Sequence, residues 1–142
     1  MIDQRTAPYA ALILRVSLGV MFIAHALQKY AVFTLPGTAK YFESLGLPGP
    51  LAYATFCAEL VGGTLILAGV GSRYVAAALV PVLLGALWAH AGNGWPFTSP
   101  SGGWEYPAFL AAAAVVQVLL GDGRFALGSL LSKSVQSKGA YA

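Results

Sequence analysis

Charge is scarce in this sequence. Asp, Glu, Lys and Arg together make up 9% of its 142 residues, whereas hydrophobic residues make up 58%. A soluble domain carries about a quarter charged residues, so a water-facing surface cannot be built from this chain. Cysteine is scarcer still. Cys57 stands alone and no CxxC occurs, which excludes an internal disulfide, dithiol exchange by the chain by itself and a zinc knot. The net charge is +3, but no basic run accompanies it, so nucleic acid is not an expected partner. The scattered Lys and Arg read as membrane topology instead.

What the sequence does have is long apolar stretches. A helix that crosses a bilayer takes about 20 apolar residues, so four spans, at about 9–30, 51–70, 74–91 and 104–120, use up the chain. The expected fold is therefore all-α: an integral membrane four-helix bundle, one domain over residues 1–142, with the lipid bilayer as its first partner. Arg15 interrupts the first apolar stretch and further spans follow, so that stretch is expected to stay as an anchor and not to be removed as a signal peptide.

Between the first two spans, TAKYFESLG is read as a short amphipathic helix. Thr38 is its expected cap and Gly46 its end, with Tyr41, Phe42 and Leu45 turned to the membrane surface. Gly71-Ser72-Arg73 forms a turn short enough to make spans two and three antiparallel neighbours. Pro81 falls inside span three, where it removes one helix hydrogen bond and predicts a kink. GNGWPFTSPSGG reads as an interfacial loop and Gly121-Asp122-Gly123-Arg124 as the end of span four. The tail, 125–142, is expected to carry little beyond an apolar turn around Leu127, Leu130 and Leu131. Arg5, Arg73, Arg124, Lys133 and Lys138 fall on one side and only Lys29 and Lys40 on the other, which places both termini in the cytoplasm of a multi-pass protein of the inner, or plasma, membrane.

That topology sorts the rare ionisable residues by depth. His25 and Lys29 lie in the last turns of span one, Glu59 about 12 Å into span two at 1.5 Å per residue, His90 at the end of span three and Glu105 at the start of span four. All five fall in the outer half. Arg15, Phe22, His25 and Lys29 share one stripe of the first helix. A charge turned to lipid at mid-span costs about 2.5–3.5 kcal/mol on insertion scales, so the stripe should face the bundle, and Glu59 and Glu105 are the partners on offer to Lys29 and His25.

Helix dipoles account for three of these residues as well as a site does: Lys29 and His90 at C-terminal ends, Glu105 at an N-terminus. Glu59 has no helix end to explain it, and its choice lies between half of a buried ion pair and a proton carrier or ligand. Arg15 and Arg73 read as structural charges, Arg15 as an anchor that snorkels to the cytoplasmic interface. Gly62, Gly63, Gly69 and Gly71 narrow the second helix for close packing. Trp88, Trp95, Trp104, Tyr106 and Tyr30 read first as an aromatic belt, though such rings also line pockets for planar ligands. Cys57 lies about 200° round the helix from Glu59, too far for a shared site.

The segments RVSLGVMFIAHALQK, AELVGGTLILAGVGSR and GGWEYPAFLAAAAVVQVLLGDGR resemble the DoxX family, and the likeness runs from Leu14 to Leu131. It implies a four-helix membrane protein, tied in some members to quinone-linked oxidation of sulfur compounds and in others to oxidative or thiol stress. The matching polar positions are Arg15, His25, Lys29, Glu59, Arg73 and Glu105. Ala26 and Gly128 depart from the family pattern, where Gly and an acidic residue respectively are common.

The leading functional expectation is a membrane redox component, a part of a quinone-linked oxidoreductase. It binds a quinone or similar hydrophobic carrier, with Glu59 and His25 exchanging protons and Lys29, Glu105, His90, Trp104 and Trp88 lining the site. The sequence shows no redox centre, so electrons would come from a partner protein. A second expectation is a metal or haem site with His25, Glu59, His90 and Glu105 as ligands; the spacing lacks HxxH or HExxH, and Lys29 would repel a cation. A third is noncatalytic: a structural or assembly subunit whose charges form a latch between helices, or a small proton-coupled transporter; a homo-oligomer is a further expected partner. Fold does not choose among them.

Overall fold

The computed structural model describes residues 3–129; Leu130, Leu131, Lys133 and Lys138 lie outside the described residues. The described chain is all-helical, with no strand: α1 (Ala7–Ala31), α2 (Leu35–Ser44), α3 (Leu51–Ala68), α4 (Ser72–His90) and α5 (Glu105–Leu120), with one short 3-10 turn at Ala91–Asn93. Three segments, Ala7–Ala31, Leu51–Ala68 and Ser72–Asn93, are long and apolar enough to cross a membrane. Helix α5 is equally apolar, and its 16 residues span about 24 Å.

Local signals explain most helix ends. Pro8 sits in the first turn of α1, where its missing N–H costs nothing. Gly69 takes a left-handed φ of 73° and closes α3. Gly71, at φ 60°, precedes α4. These two glycines therefore shape the turn and do not narrow a helix, as the sequence suggested. Helix α2 also differs from expectation at its start. It begins at Leu35, not at Thr38, because Pro36 suits a first turn and Thr34 caps it, its hydroxyl accepting from the Gly37 amide at 3.1 Å. Thr38 is buried inside that helix, its hydroxyl donating to the Thr34 carbonyl at 2.9 Å.

Helices α1 and α3 pack most extensively, followed by α4 on α5, with less contact across the α3–α4 hairpin. The α1–α3 contact is close because glycine faces glycine. A Cβ on Gly63 would stand 2.8 Å from Phe22 Cβ and 3.0 Å from the Gly19 carbonyl. One on Gly19 would stand 2.8 Å from Leu67 Cβ. Gly62, the next residue, gives its surface to Leu79 of α4 in the same way. Around this crossing Leu18, Phe22, Ile66, Ala76, Leu79, Leu83, Leu110, Ala111 and Ala114 form one core.

The surface is more apolar than the interior would require of a soluble protein. Ile13, Leu119, Phe109 and Val61 are each more than half exposed, while Arg15, Glu59, Ser72 and Gln117 are buried. Water would penalise that surface; lipid does not.

The bundle's two ends are tied differently. At one, the Arg15 end, the guanidinium is 2% exposed. Its Nη1 donates to the Asp122 carbonyl at 2.8 Å and its Nη2 to the Phe125 carbonyl at 3.4 Å. Arg15 thus turns into the bundle instead of snorkelling outward, because the loop after α5 offers it two carbonyls. The Asp122 carboxylate accepts from the Ser72 amide at 2.6 Å and so caps α4. Gln117 donates to the Gly121 carbonyl at 2.6 Å, and Arg73, exposed, donates to the Leu119 carbonyl at 3.3 Å. Gly128 donates to the Gly69 carbonyl at 3.1 Å.

Two outcomes follow for the purified protein in detergent. Gly63→Ala should lower the unfolding temperature, by an overpacking cost of about 1–3 kcal/mol. Gly85→Ala, where an added Cβ meets nothing within 4 Å, should leave the temperature unchanged or raise it; equal effects at the two positions would contradict the close crossing. Arg15→Leu should free the loop after α5, read as limited trypsin cleavage at Arg124 at least several times faster than in the parent protein.

Candidate functional site

At the opposite end, the Lys29 end, the last turns of α1 meet the first half of α3. Glu59 and Gly63 are one turn apart on α3 and share the face that meets α1. The glycine crossing therefore brings Lys29 within reach of the carboxylate: Nζ donates to Oε1 at 2.8 Å and to Oε2 at 2.6 Å. The two side chains are 18% and 9% exposed. Removing one partner of so enclosed a pair typically costs about 3–5 kcal/mol, because the other charge is left unpaired. Lys29 also lies in the last turn of α1, where the helix dipole favours a cation.

His25 is one turn further into α1, half-buried. Its Nδ1 lies 2.7 Å from the Met21 carbonyl. A carbonyl only accepts, so Nδ1 carries a proton, and in the neutral imidazole Nε2 keeps its lone pair. The imidazole stacks on the Tyr106 ring of α5, with centroids 5.5 Å apart and planes 23° apart. The Tyr106 hydroxyl is enclosed and has no hydrogen-bond partner among the described residues, a condition that costs roughly 1–3 kcal/mol.

His90 and Glu105 do not join this group. His90 closes α4 and its Nδ1 donates to the carbonyl of Gly102 at 3.0 Å, while Asn93 donates to the same carbonyl at 2.9 Å. Imidazole and amide together staple the 94–104 loop to the end of α4. Glu105 opens α5, and its carboxylate accepts from the Phe97 amide at 3.2 Å. Both residues are spent on shaping the loop, so the expected pairing of Glu105 with Lys29 or His25 is not made. Trp104 packs edge-on against Trp95 at 4.5 Å. Trp88 is 56% exposed on the outside of α4 and takes no part in either group. Arg15 and Arg73 belong to the other end.

Among the described residues, no three His, Cys, Asp or Glu side chains lie close enough to hold a metal ion. The ligand set His25, Glu59, His90 and Glu105 is therefore not assembled. Cys57 is exposed while Glu59 is buried, as their helical separation requires.

The 94–104 loop and the start of α5 enclose a cleft of about 450 Å³ lined by Trp95, Phe97, Glu105, Tyr106, Ala108 and Phe109. Tyr106 belongs to both groups, as a wall of the cleft and as the ring stacked on His25. In sequence it is one of five belt aromatics. Tyr106 is the second residue of α5 whereas His25 stands six residues before the end of α1, so depth along the helices does not pair them, and no other signal in the sequence does.

With this geometry in place, comparison with known proteins adds kinship. Residues 10–92 match the profile of the DoxX family, a stretch that includes His25, Lys29, Glu59 and His90 and ends before Glu105 and Tyr106. The chain is 38% identical over 76 residues to a Bacillus subtilis (strain 168) protein named "Putative oxidoreductase CatD". That match covers 54% of this chain and 55% of the relative, so the chain spans about half the length of the curated relative it matches. No solved structure matches it. The profile match takes in more than half of the sequence and the whole α1–α3 crossing with its ion pair: the chain belongs to the DoxX family.

Proposed function

We propose that this protein is a membrane redox component that binds a quinone or a similar hydrophobic carrier at the Lys29 end of the bundle, with His25 and Glu59 exchanging protons. The observation that carries the reading is the Lys29–Glu59 pair, held one turn from an imidazole whose Nε2 makes no hydrogen bond among the described residues. An intramembrane ionisable residue is a functional candidate by default. Here three of them stand together on two helices. The name of the B. subtilis relative, "Putative oxidoreductase CatD", points the same way.

The residues suit the carrier's chemistry. A quinone supplies reversible two-electron, two-proton chemistry, with its carbonyl oxygens as the groups that gain and lose protons. Lys29 has three N–H donors and spends two on Glu59, which leaves one for a carbonyl oxygen. Glu59 keeps lone pairs on both oxygens for a proton, and His25 Nε2 accepts or returns a second. In this reading electrons come from a partner protein. In this reading α1, α3, α4 and α5 all cross the inner membrane, as parts of one domain, with both termini cytoplasmic. The support for a fourth crossing is that α5 runs beside α4 from the Glu105–Phe97 bond at one end to the Ser72–Asp122 bond at the other.

A purely structural latch is the competing reading, favoured by the two-oxygen geometry of the pair. The charge-exchanged double variant Lys29→Glu with Glu59→Lys separates them. It should regain most of the stability lost by Glu59→Gln while binding of a short-chain quinone, followed by fluorescence quenching, stays at least tenfold weaker than in the parent protein. Recovery of binding together with stability would leave the pair as a latch only.

A further inference from the structure

The ion pair leaves no room for a ring. Its atoms are 2.6–2.8 Å apart and both side chains are largely enclosed, so a planar carrier has to rest beside them. The aromatic cleft is the place the fold provides. Its volume, about 450 Å³, falls in the range of about 300–1,000 Å³ usual for small-molecule sites. Its walls are rings, and the carboxylate of Glu105 is already engaged by the Phe97 amide. Trp95, Phe97 and Phe109 are 53%, 66% and 70% exposed, so the mouth of the cleft is apolar. Such a mouth admits a flat lipid-soluble molecule and repels a hydrated ion.

Tyr106 separates this cleft from His25. It lines the one and stacks on the other. Its hydroxyl is enclosed without a partner among the described residues, and a buried donor in that state calls for an explanation. A ligand carbonyl supplies one. We propose that the cleft under the 94–104 loop is the docking seat of the carrier's ring, entered laterally from the lipid, and that Tyr106 is both its hydrogen-bond donor and the gate to His25. As the ring enters, the Tyr106 side chain turns off the imidazole toward the cleft, its hydroxyl donates to a carrier carbonyl, and His25 Nε2 is uncovered. This inference rests on the carrier-binding reading above and locates the carrier within it.

The test uses the full chain in phosphatidylcholine nanodiscs, carrying Trp88→Phe so that Trp95 and Trp104 report alone. A short-chain benzoquinone is the probe. Tyr106→Phe should weaken quinone binding about tenfold with an unfolding temperature equal to or above that of the parent, since removing an unpaired buried hydroxyl without changing shape is neutral or stabilising. Ala108→Phe, which fills the cleft without adding a reporter, should abolish quenching; its unfolding temperature shows whether it folds, and Tyr106→Phe carries the test if it does not. Quinone binding equal in the parent and in Tyr106→Phe would overturn the inference and leave the proposed function standing. So would quenching by a fatty acid that matches the quinone's and ignores Tyr106→Phe, which would make the cleft a lipid seat. No quinone binding by the parent protein would overturn the functional reading itself.

Discussion

The backbone of α1 lies against the backbone of α3 at Gly19 and Gly63, and the arrangement of the Lys29 end depends on that approach. A side chain at either position would collide with Phe22, Leu67 or the opposing carbonyl and push the helices apart. Glu59 is one turn from Gly63, so the distance between helices sets the distance between Glu59 and Lys29. The dependence runs both ways. A carboxylate well inside an apolar helix needs a cation within reach, and Lys29, gripping both oxygens, opposes sliding of one helix along the other. Small residues give closeness, and the ion pair gives register.

Polar groups are concentrated at the two ends of an otherwise apolar bundle, and they are used differently. At the Arg15 end they tie backbone: Arg15, Ser72, Gln117 and Asp122 all hold the loop that follows α5. Arg15 Nε, Ser72 Oγ and Gln117 Oε1 have no partner among the described residues. These atoms belong to residues no more than 2% exposed, and the aromatic cleft does not reach them, so they suit an internal water better than a ligand. At the Lys29 end the Tyr106 hydroxyl has no partner among the described residues, and Tyr106 both lines a cleft open to the surroundings and stacks on His25. Polar capacity left next to an opening is what binding requires.

Much of the fold was legible because hydropathy reports directly on burial in lipid. The helices at Leu51, Ser72 and Glu105 start within about two residues of where apolar stretches and turn signals put them. The start of α2 was misread because Thr34 and Thr38 both suit a cap, and the choice between them is made by Pro36, which fits a first turn only if the helix starts early. Arg15 was misread because snorkelling is the default for a long cation near an interface. Only the return of the Gly121–Phe125 segment, more than 100 residues later, offers it carbonyls inside the bundle.

Composition and periodicity by themselves determined that this chain is helical and built for an apolar surrounding, and that Glu59 needs a partner. Those properties follow from each residue's own transfer free energy and its position on a 3.6-residue repeat, which requires no knowledge of neighbours in space. The tertiary structure decided which partner was taken. It gave Glu59 to Lys29, His90 to a loop carbonyl and Glu105 to the Phe97 amide, and it set Tyr106 between His25 and the cleft. Hydrogen bonds and ion pairs act over about 3 Å. Depth along a helix sorts residues only into layers of several ångströms, so five polar residues at one end of a bundle remain candidates until the packing of α1 on α3 and of α4 on α5 brings some of them into contact and keeps the others apart.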